Sequence, residues 1–206
     1  MCRLFETIRI ENGQPLHLQW HEARIKRARL ELWSIDEGFG LEKILSAPSE
    51  YTAGTVRCNV IYEKELGEII FRAYTKLTVR SLKLVYTDSI DYHVKYFNRA
   101  VLEGLFDLRG QCDDIIIVKD GLITDTSMSN LIFYDGIRWS TPAHPLLEGT
   151  CRARLISEGK IVPIDIRPED LQKYQGCKLI NAMREPEEEE MIPVRKIEGL
   201  CYFVTL

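Results

Sequence analysis

Nothing in the 206 residues is long and apolar enough to cross a bilayer as a helix, because no apolar run reaches the ~18 to 20 residues a span requires. The opening residues, Met1-Cys2-Arg3-Leu4-Phe5-Glu6, lack the apolar h-region of a secretory signal, so the mature chain is expected to start at Met1. Cysteine is sparse and scattered: six residues, at positions 2, 58, 112, 151, 177 and 201, with no C-x-x-C pair and no histidine at zinc-ligand spacing. That pattern gives no disulfide framework and no metal site, and it is what reduced, packing cysteines in a cytoplasmic protein look like. A basic surplus is missing too. The 27 Lys and Arg stand against 31 Asp and Glu, a formal net charge of -4, so there is no electrostatic case for a nucleic-acid partner. What is present is a 45% hydrophobic composition, enough to bury one sizeable core or two small lobes.

Phe5 to Ile10 alternates β-branched or aromatic residues with polar ones, and Asn12-Gly13 follows as a hairpin signal before a short strand near Gln14 to Leu18. Gln19 to Trp33 holds no Gly or Pro and repeats Ile25, Ala28 and Leu32 at helical spacing, with Arg24, Arg27 and Glu31 elsewhere on the cylinder, which predicts an amphipathic helix. A short helix near Leu41 to Leu45 leads to strands at Thr55 to Glu63, Glu68 to Lys76 and Leu82 to Thr87, so residues 1–87 read as a small antiparallel sheet with helices on one side. Residues 92–206 form a second, larger and β-rich lobe. It starts with a helix near Asn98 to Leu108 and a buried strand at Asp114 to Val118. Strands at Leu131 to Tyr134 and Ile137 to Thr141, a helix over Gly149 to Ser157, a strand at Lys160 to Ile166, a short helix opening at Pro168, and strands at Lys178 to Asn181 and Cys201 to Leu206 complete it. The run Glu187 to Glu190 reads as a solvated loop and carries no chemistry.

Four segments hold residues suited to chemistry. Tyr92-His93-Val94-Lys95-Tyr96-Phe97-Asn98-Arg99 sets a lysine among aromatic residues at the junction of the lobes, and apolar surroundings disfavour a lysine's charged form, as an amine nucleophile requires. Gly121 to Asn130 surrounds Asp125 with small hydroxyl residues, including Ser129; it can donate several hydrogen bonds to an anion, or equally form a turn that satisfies its own backbone. Gly149-Thr150 stands at a predicted helix start, where free N–H groups favour a phosphate and where Thr is also an ordinary cap. His21 and Arg24 lie one turn apart on one helix face, and Arg24 could clamp a phosphate through its guanidinium fork or form an ion pair.

Taken in order, these segments resemble the fold-type IV pyridoxal phosphate enzymes: branched-chain and D-amino-acid aminotransferases and aminodeoxychorismate lyases. Phe5-Glu6-Thr7-Ile8, Asn12-Gly13 and His21-Glu22-Ala23-Arg24 resemble the family's opening, and Lys95 with Asn98-Arg99 resembles the Lys-x-x-Asn-Arg segment of the lyases. Thr124 to Asn130 resembles Thr-Glu-x-Ser-x-x-Asn, Leu147 to Arg152 resembles Leu-x-Gly-x-x-Arg after a Thr-Pro at Thr141-Pro142, and Asn181-Ala182 with Pro193-Val194 resembles the closing pairs. The resemblance implies an α+β, two-lobed, D-amino-acid aminotransferase-like architecture with the cofactor in the cleft between lobes. It implies that Lys95 carries pyridoxal phosphate as a Schiff base, that Asp125 faces the ring nitrogen, and that Arg24 and Thr150, with Ser129, Asn130, Gly149 and Asn181, complete the cofactor site. It also implies a homodimer acting on a small amine or amino-acid-like substrate.

Two departures stand out. Asp125 replaces the family's usual Glu, and no Arg-x-His pair for a substrate carboxylate is present; Arg57 and Arg72 on neighbouring strands are the available substitutes, or solvated sheet residues. The Lys-x-x-Asn-Arg pattern and the missing clamp favour a 4-amino-4-deoxychorismate lyase, which eliminates pyruvate to leave 4-aminobenzoate for folate synthesis. A branched-chain or D-amino-acid aminotransferase and a non-catalytic cofactor-binding relative are the alternatives.

Overall fold

The two-residue turn Asn12-Gly13 has both residues at positive φ, 48° and 80°, the combination that matches the twist of two antiparallel strands. It joins β1 (Leu4–Glu11) to β2 (Gln14–Pro15) in a computed structural model that describes residues 2–199. The predicted strand Cys201 to Leu206 lies outside the described residues. The chain divides into two compact units: Met1–Leu77 with Val94–Asn98, and Thr78–His93 with Arg99–Leu206.

In the first unit, β3 (Thr55–Tyr62) and β4 (Leu66–Ala73) extend the hairpin into an antiparallel sheet of order β2-β1-β3-β4. The period of two along β1 buries Leu4, Glu6, Ile8 and Ile10 and leaves Phe5, Thr7, Arg9 and Glu11 partly open on the other face. The helices α1 (Leu18–Trp33) and α2 (Leu41–Ile44) supply Ile25, Ala28 and Leu41 to a core with Leu4, Ile8, Ile10, Val56, Cys58 and Val60. The buried face of α1 is His21, Arg24, Ile25, Ala28 and Arg29, so Arg24 lies on the packed stripe and not elsewhere on the cylinder. Partners on β1, described below, make that burial tolerable. Residues Val94–Asn98 return to this unit as a short pairing on β1: the Phe5 N–H donates to the Lys95 carbonyl at 3.1 Å and the Phe97 N–H to the Arg3 carbonyl at 2.8 Å.

In the second unit, β5 (Leu82–Tyr86) pairs in parallel with β6 (Asp114–Lys119), and β13 (Ile197–Glu198) and β7 (Leu122–Ile123) flank them in the order β13-β5-β6-β7. A parallel pair needs a long crossover, and residues 87–113, including α3 (Ala100–Phe106), provide it. This corrects two sequence expectations. The strand near Leu82 joins the second sheet and not the first antiparallel one, and Lys95 belongs to the first unit and not to the lobe that begins at residue 92. Neither could be read from periodicity, which reports a strand but not its neighbour.

A five-stranded sheet, β10-β9-β8-β11-β12, is built from β8 (Asn130–Tyr134), β9 (Trp139–Pro142), β10 (Val162–Ile164), β11 (Gly176–Ile180) and β12 (Ile192–Pro193). The core of this unit takes Leu82, Leu84, Ile116 and Val118 from one sheet and Leu131, Phe133, Cys177 and Leu179 from the other. On the far side, α4 (Thr150–Ser157) packs Cys151 and Leu155 against Ile132 and Ile180. Strand alternation therefore fixes both faces of β8, and with them the loop that precedes it. No helix among the described residues is long and apolar enough to cross a membrane.

Candidate active site

In the first unit, Glu6 is fully buried on the apolar face of β1 and receives three hydrogen bonds from α1. Arg24 donates from Nε to Oε1 at 2.8 Å and from a terminal nitrogen to Oε2 at 2.5 Å, a bidentate fork. His21 Nδ1 stands 2.6 Å from Oε2, and an ionised acceptor requires that nitrogen to carry the proton. Burial opposes ionisation of Glu6, but the Arg24 charge and the bonds from His21 and Arg24 outweigh it and hold the carboxyl at about 2. Burial lowers the His21 pKa, and the positive charges of Arg24 and Lys95 act in the same direction against the pull of Glu6. Arg24 and Lys95 thus both act on His21. The Lys95 Nζ sits 4.6 Å from the centre of the Phe5 ring, an arrangement in which the ring's negative face attracts the ammonium.

In the second unit, Asp125 is buried at the end of a segment laid along β6, where the Ile117 N–H donates to the Asp125 carbonyl at 2.8 Å. Its Oδ1 accepts from Asn130 Nδ2 at 2.6 Å and its Oδ2 from the Leu147 N–H at 2.9 Å. Burial raises its pKa to about 6, against those bonds and the charge of Arg152. The loop in between is a turn closed by its own groups: the Thr126 Oγ1 accepts from the Ser129 N–H at 3.0 Å, and the Ser127 N–H donates to buried Asp114. The turn reading of this segment therefore holds, with the Asp125 carboxyl group held beside the turn by Asn130 and Leu147.

Asn130 also donates to the Leu147 carbonyl at 2.8 Å, and a Cβ placed on Gly149 would lie 1.9 Å from Asn130 Oδ1. Only glycine lets the start of α4 come this close to Asn130. Gly149 makes no side-chain cap and the first turn carries no acidic residue, so the N–H groups that begin at Thr150 receive no side-chain cap from within the helix start. Asn181 donates to Ser129 Oγ at 2.9 Å and thereby ties β11 to the same turn. Asp125, Ser129, Asn130, Gly149, Thr150 and Asn181 are thus brought together.

Arg57 and Arg72 are direct cross-strand neighbours on the sheet of the first unit, on the face opposite Glu6 and Arg24. Three contributors stood inside the quoted motifs without a role assigned to them. Glu6 was legible as the one carboxylate on the Leu4, Ile8, Ile10 face. Arg99, whose guanidinium donates to the Ser127 carbonyl at 2.6 Å, and Arg152, which donates to the Pro142 carbonyl at 2.8 Å, hold loops from a distance that no spacing announces.

A buried carboxyl group poised near neutrality suits a cationic ring nitrogen, and uncapped helix N–H groups suit a phosphate, so the residues present fit pyridoxal phosphate. Comparison with known proteins agrees: the model of the class IV amino-transferases matches residues 3–197. The chain belongs to the class IV aminotransferase family. A solved structure from Haemophilus somnus 129pt, described as a candidate 4-amino-4-deoxychorismate lyase, is 36% identical, with a TM-score of 0.81 over 89% of this chain and 97% of that one. A Haemophilus influenzae protein called uncharacterized is 38% identical over 89% of this chain and 98% of its own length. A Mycobacterium tuberculosis protein described as a hypothetical aminotransferase in its PLP-bound form, 18% identical over 97% of this chain and 82% of its own, shares the fold with a TM-score of 0.75. The architecture of this family member is the α+β fold of the fold-type IV enzymes.

Proposed function

We propose that this class IV family member uses pyridoxal phosphate to act as a 4-amino-4-deoxychorismate lyase, releasing pyruvate and leaving 4-aminobenzoate for folate synthesis. The observation that carries the cofactor reading is Asp125, buried, held by Asn130 and Leu147, and raised to about 6. The lyase reading is supported by the Lys95-x-x-Asn98-Arg99 pattern and by the 36% identical relative described as a candidate lyase. The assembly proposed is a cytoplasmic homodimer.

In this reading Lys95 would hold the cofactor covalently, Asp125 would pair with its ring nitrogen, and Arg24 and Thr150 would bind its phosphate. When bound, pyridoxal phosphate supplies an electron-accepting ring that stabilises negative charge on the substrate carbon. With that group bound, the Lys95 Nζ would be the base that takes a proton from the substrate carbon and returns it. Asp125, ionised by its cationic partner, keeps the proton on the ring nitrogen. Glu6 fixes the plane of the Arg24 guanidinium, so that residue is oriented before any ligand arrives.

The test offers purified protein 4-amino-4-deoxychorismate in one tube and an amino donor with a 2-oxo acid in another. Pyruvate and 4-aminobenzoate without an acceptor are expected. Acceptor-dependent amino-acid formation instead would replace the lyase with an aminotransferase. Absence of a Lys95-dependent visible band on adding cofactor, judged against Lys95→Ala, would sink the cofactor reading itself.

A further inference from the structure

Asp114 opens β6 and is 3% exposed, at the head of the buried apolar run Ile115 to Val118. It has no ion pair among the described residues, and burial raises its pKa, the mark of a charge held at a cost. An apolar residue would begin this strand at less cost, so the stability of β6 does not call for a carboxylate here.

Its partners lie in the segment that carries Asp125. The Thr124 N–H donates to the Ile117 carbonyl at 2.9 Å and the Ile117 N–H to the Asp125 carbonyl at 2.8 Å, so two residues stand opposite one on β6. That is a bulge, which bends a strand and re-aims a side chain. Beyond it the chain leaves β6 for the turn Thr126 to Ser129, closed by the Thr126 N–H on the Ser129 carbonyl at 2.8 Å, and enters β8. Where the ladder stops, side chains take over. The Ser127 N–H donates to Asp114 Oδ1 at 3.4 Å, an oxygen that also accepts from the Ile115 N–H at 2.8 Å, and the Ser127 carbonyl accepts from Arg99 at 2.6 Å. Asn130 and Leu147 hold the Asp125 oxygens themselves, so this second grip acts on the backbone from which the Asp125 side chain departs.

We propose that Asp114 is a positioning residue for Asp125: through the Ser127 N–H, with Arg99 on the Ser127 carbonyl, it fixes the backbone from which Asp125 meets the ring nitrogen of the cofactor. This rests on the cofactor reading for what Asp125 meets, and it gives Asp114 and the arginine of the Lys-x-x-Asn-Arg pattern a shared task. A functional group must be held to roughly 0.5 Å of its productive place, which a bulge followed by a turn closed only on itself does not ensure.

The experiment compares Asp114→Asn, whose amide oxygen still accepts from Ser127, with Asp114→Leu, which has nearly the same shape and no acceptor. Both remove the charge, so a difference between them reports the grip. In cofactor-free protein the Asp125 carboxyl carbon is titrated by NMR. With Asp114→Asn its midpoint is expected to stay near about 6; with Asp114→Leu the released turn admits water, and the midpoint is expected to fall by about half a unit or more, as one lost hydrogen bond implies. Equilibrium dialysis is expected to show pyridoxal phosphate bound about fivefold more weakly by Asp114→Leu than by Asp114→Asn. Hydrogen exchange of wild type needs no variant: the Ser127 amide is expected to be protected as the amides of β6 are. Matching midpoints or matching affinities in the two variants overturn the proposal. So does a wild-type Ser127 amide that exchanges as fast as an open loop, and that measurement decides the matter if Asp114→Leu does not fold. If wild type takes up no pyridoxal phosphate while the midpoints still separate, the grip on Asp125 stands and the cofactor reading falls.

Discussion

Replacing Glu6 with Gln keeps the shape of the side chain and removes the charge that holds Arg24 and His21. Glu6 falls from an ordinary value of 4.5 to about 2 in the folded protein, a difference of 2.5. At ~1.36 kcal/mol per unit this is about 3 kcal/mol of stability, with no discount for solvent because the group is fully buried. A depressed folded pKa contributes stability that is present above about 4.5 and is lost as pH falls towards about 2. Glu6→Gln also leaves the Arg24 guanidinium buried without its counter-ion, so the loss near neutrality is expected to be about 3 to 5 kcal/mol. The assay is urea unfolding from pH 7 to pH 2.5 of both proteins in a Trp139→Phe background, so that the fluorescence of Trp20 and Trp33 on α1 reports on the first unit. The difference between the two proteins is the quantity of interest, since other carboxylates with lowered pKa, such as Asp113 and Asp170, titrate equally in both. It should be large at pH 7 and shrink steadily below pH 4.5. A difference under about 1 kcal/mol, or one that does not change with pH, would refute the account of Glu6 as the charge that makes the α1 interface tolerable.

Asp125 carries the opposite sign: its folded pKa, about 6, lies above the ordinary 3.8, so its contribution is full below about pH 4 and is lost as pH rises through 6. Unfolding of cofactor-free protein, followed through Trp139 in a Trp20→Phe, Trp33→Phe background, should show stability falling across that window with Asp125 and not with Asp125→Asn; a flat profile with Asp125 relative to the variant would remove the case for a poised carboxyl group. Asp125→Glu, which restores the family's usual residue, should keep cofactor binding that Asp125→Asn loses, as measured by equilibrium dialysis. Gly149→Ala should push Asn130 out of place and lower stability by about 1 to 3 kcal/mol, through overpacking at the contact of 1.9 Å; a variant that melts like wild type would show that α4 can retreat. Cys177, fully buried with its thiol pushed up to about 12, should resist a thiol reagent at pH 8 until the protein unfolds, and rapid native labelling at that position would contradict the packing.

Much of the fold was written in local pattern. The turn at Asn12-Gly13, the helix ending at Trp33 and the buried run of β6 follow from φ preference, a period of 3.6 and unbroken apolar residues, all of which act between near neighbours. The candidate site was legible to the extent that its residues sit in short segments, as Asp125 to Asn130 and Gly149-Thr150 do. Where a role depends on a distant partner, the pattern was silent: Arg24 was read as a phosphate clamp or an ion-pair residue off the apolar stripe, and its carboxylate partner Glu6, 18 positions away, went unnamed. Leu82 to Tyr86 looked like one more strand of the first sheet, because a strand's own residues do not name the strand it will pair with.

The sequence by itself therefore determined which segments are strand, helix and turn, and placed a lysine, a carboxylate and a glycine-threonine helix start in the order of a known family. Tertiary structure alone decided that Lys95 joins the first unit through β1, that Glu6 takes Arg24 in a bidentate grip, and that Asp114 and Arg99 hold Ser127 from its two sides. The physical reason is range. Dihedral and period preferences are set within a few residues, whereas strand register and burial bring together charges far apart in the chain, and only there do their energies become large enough to matter.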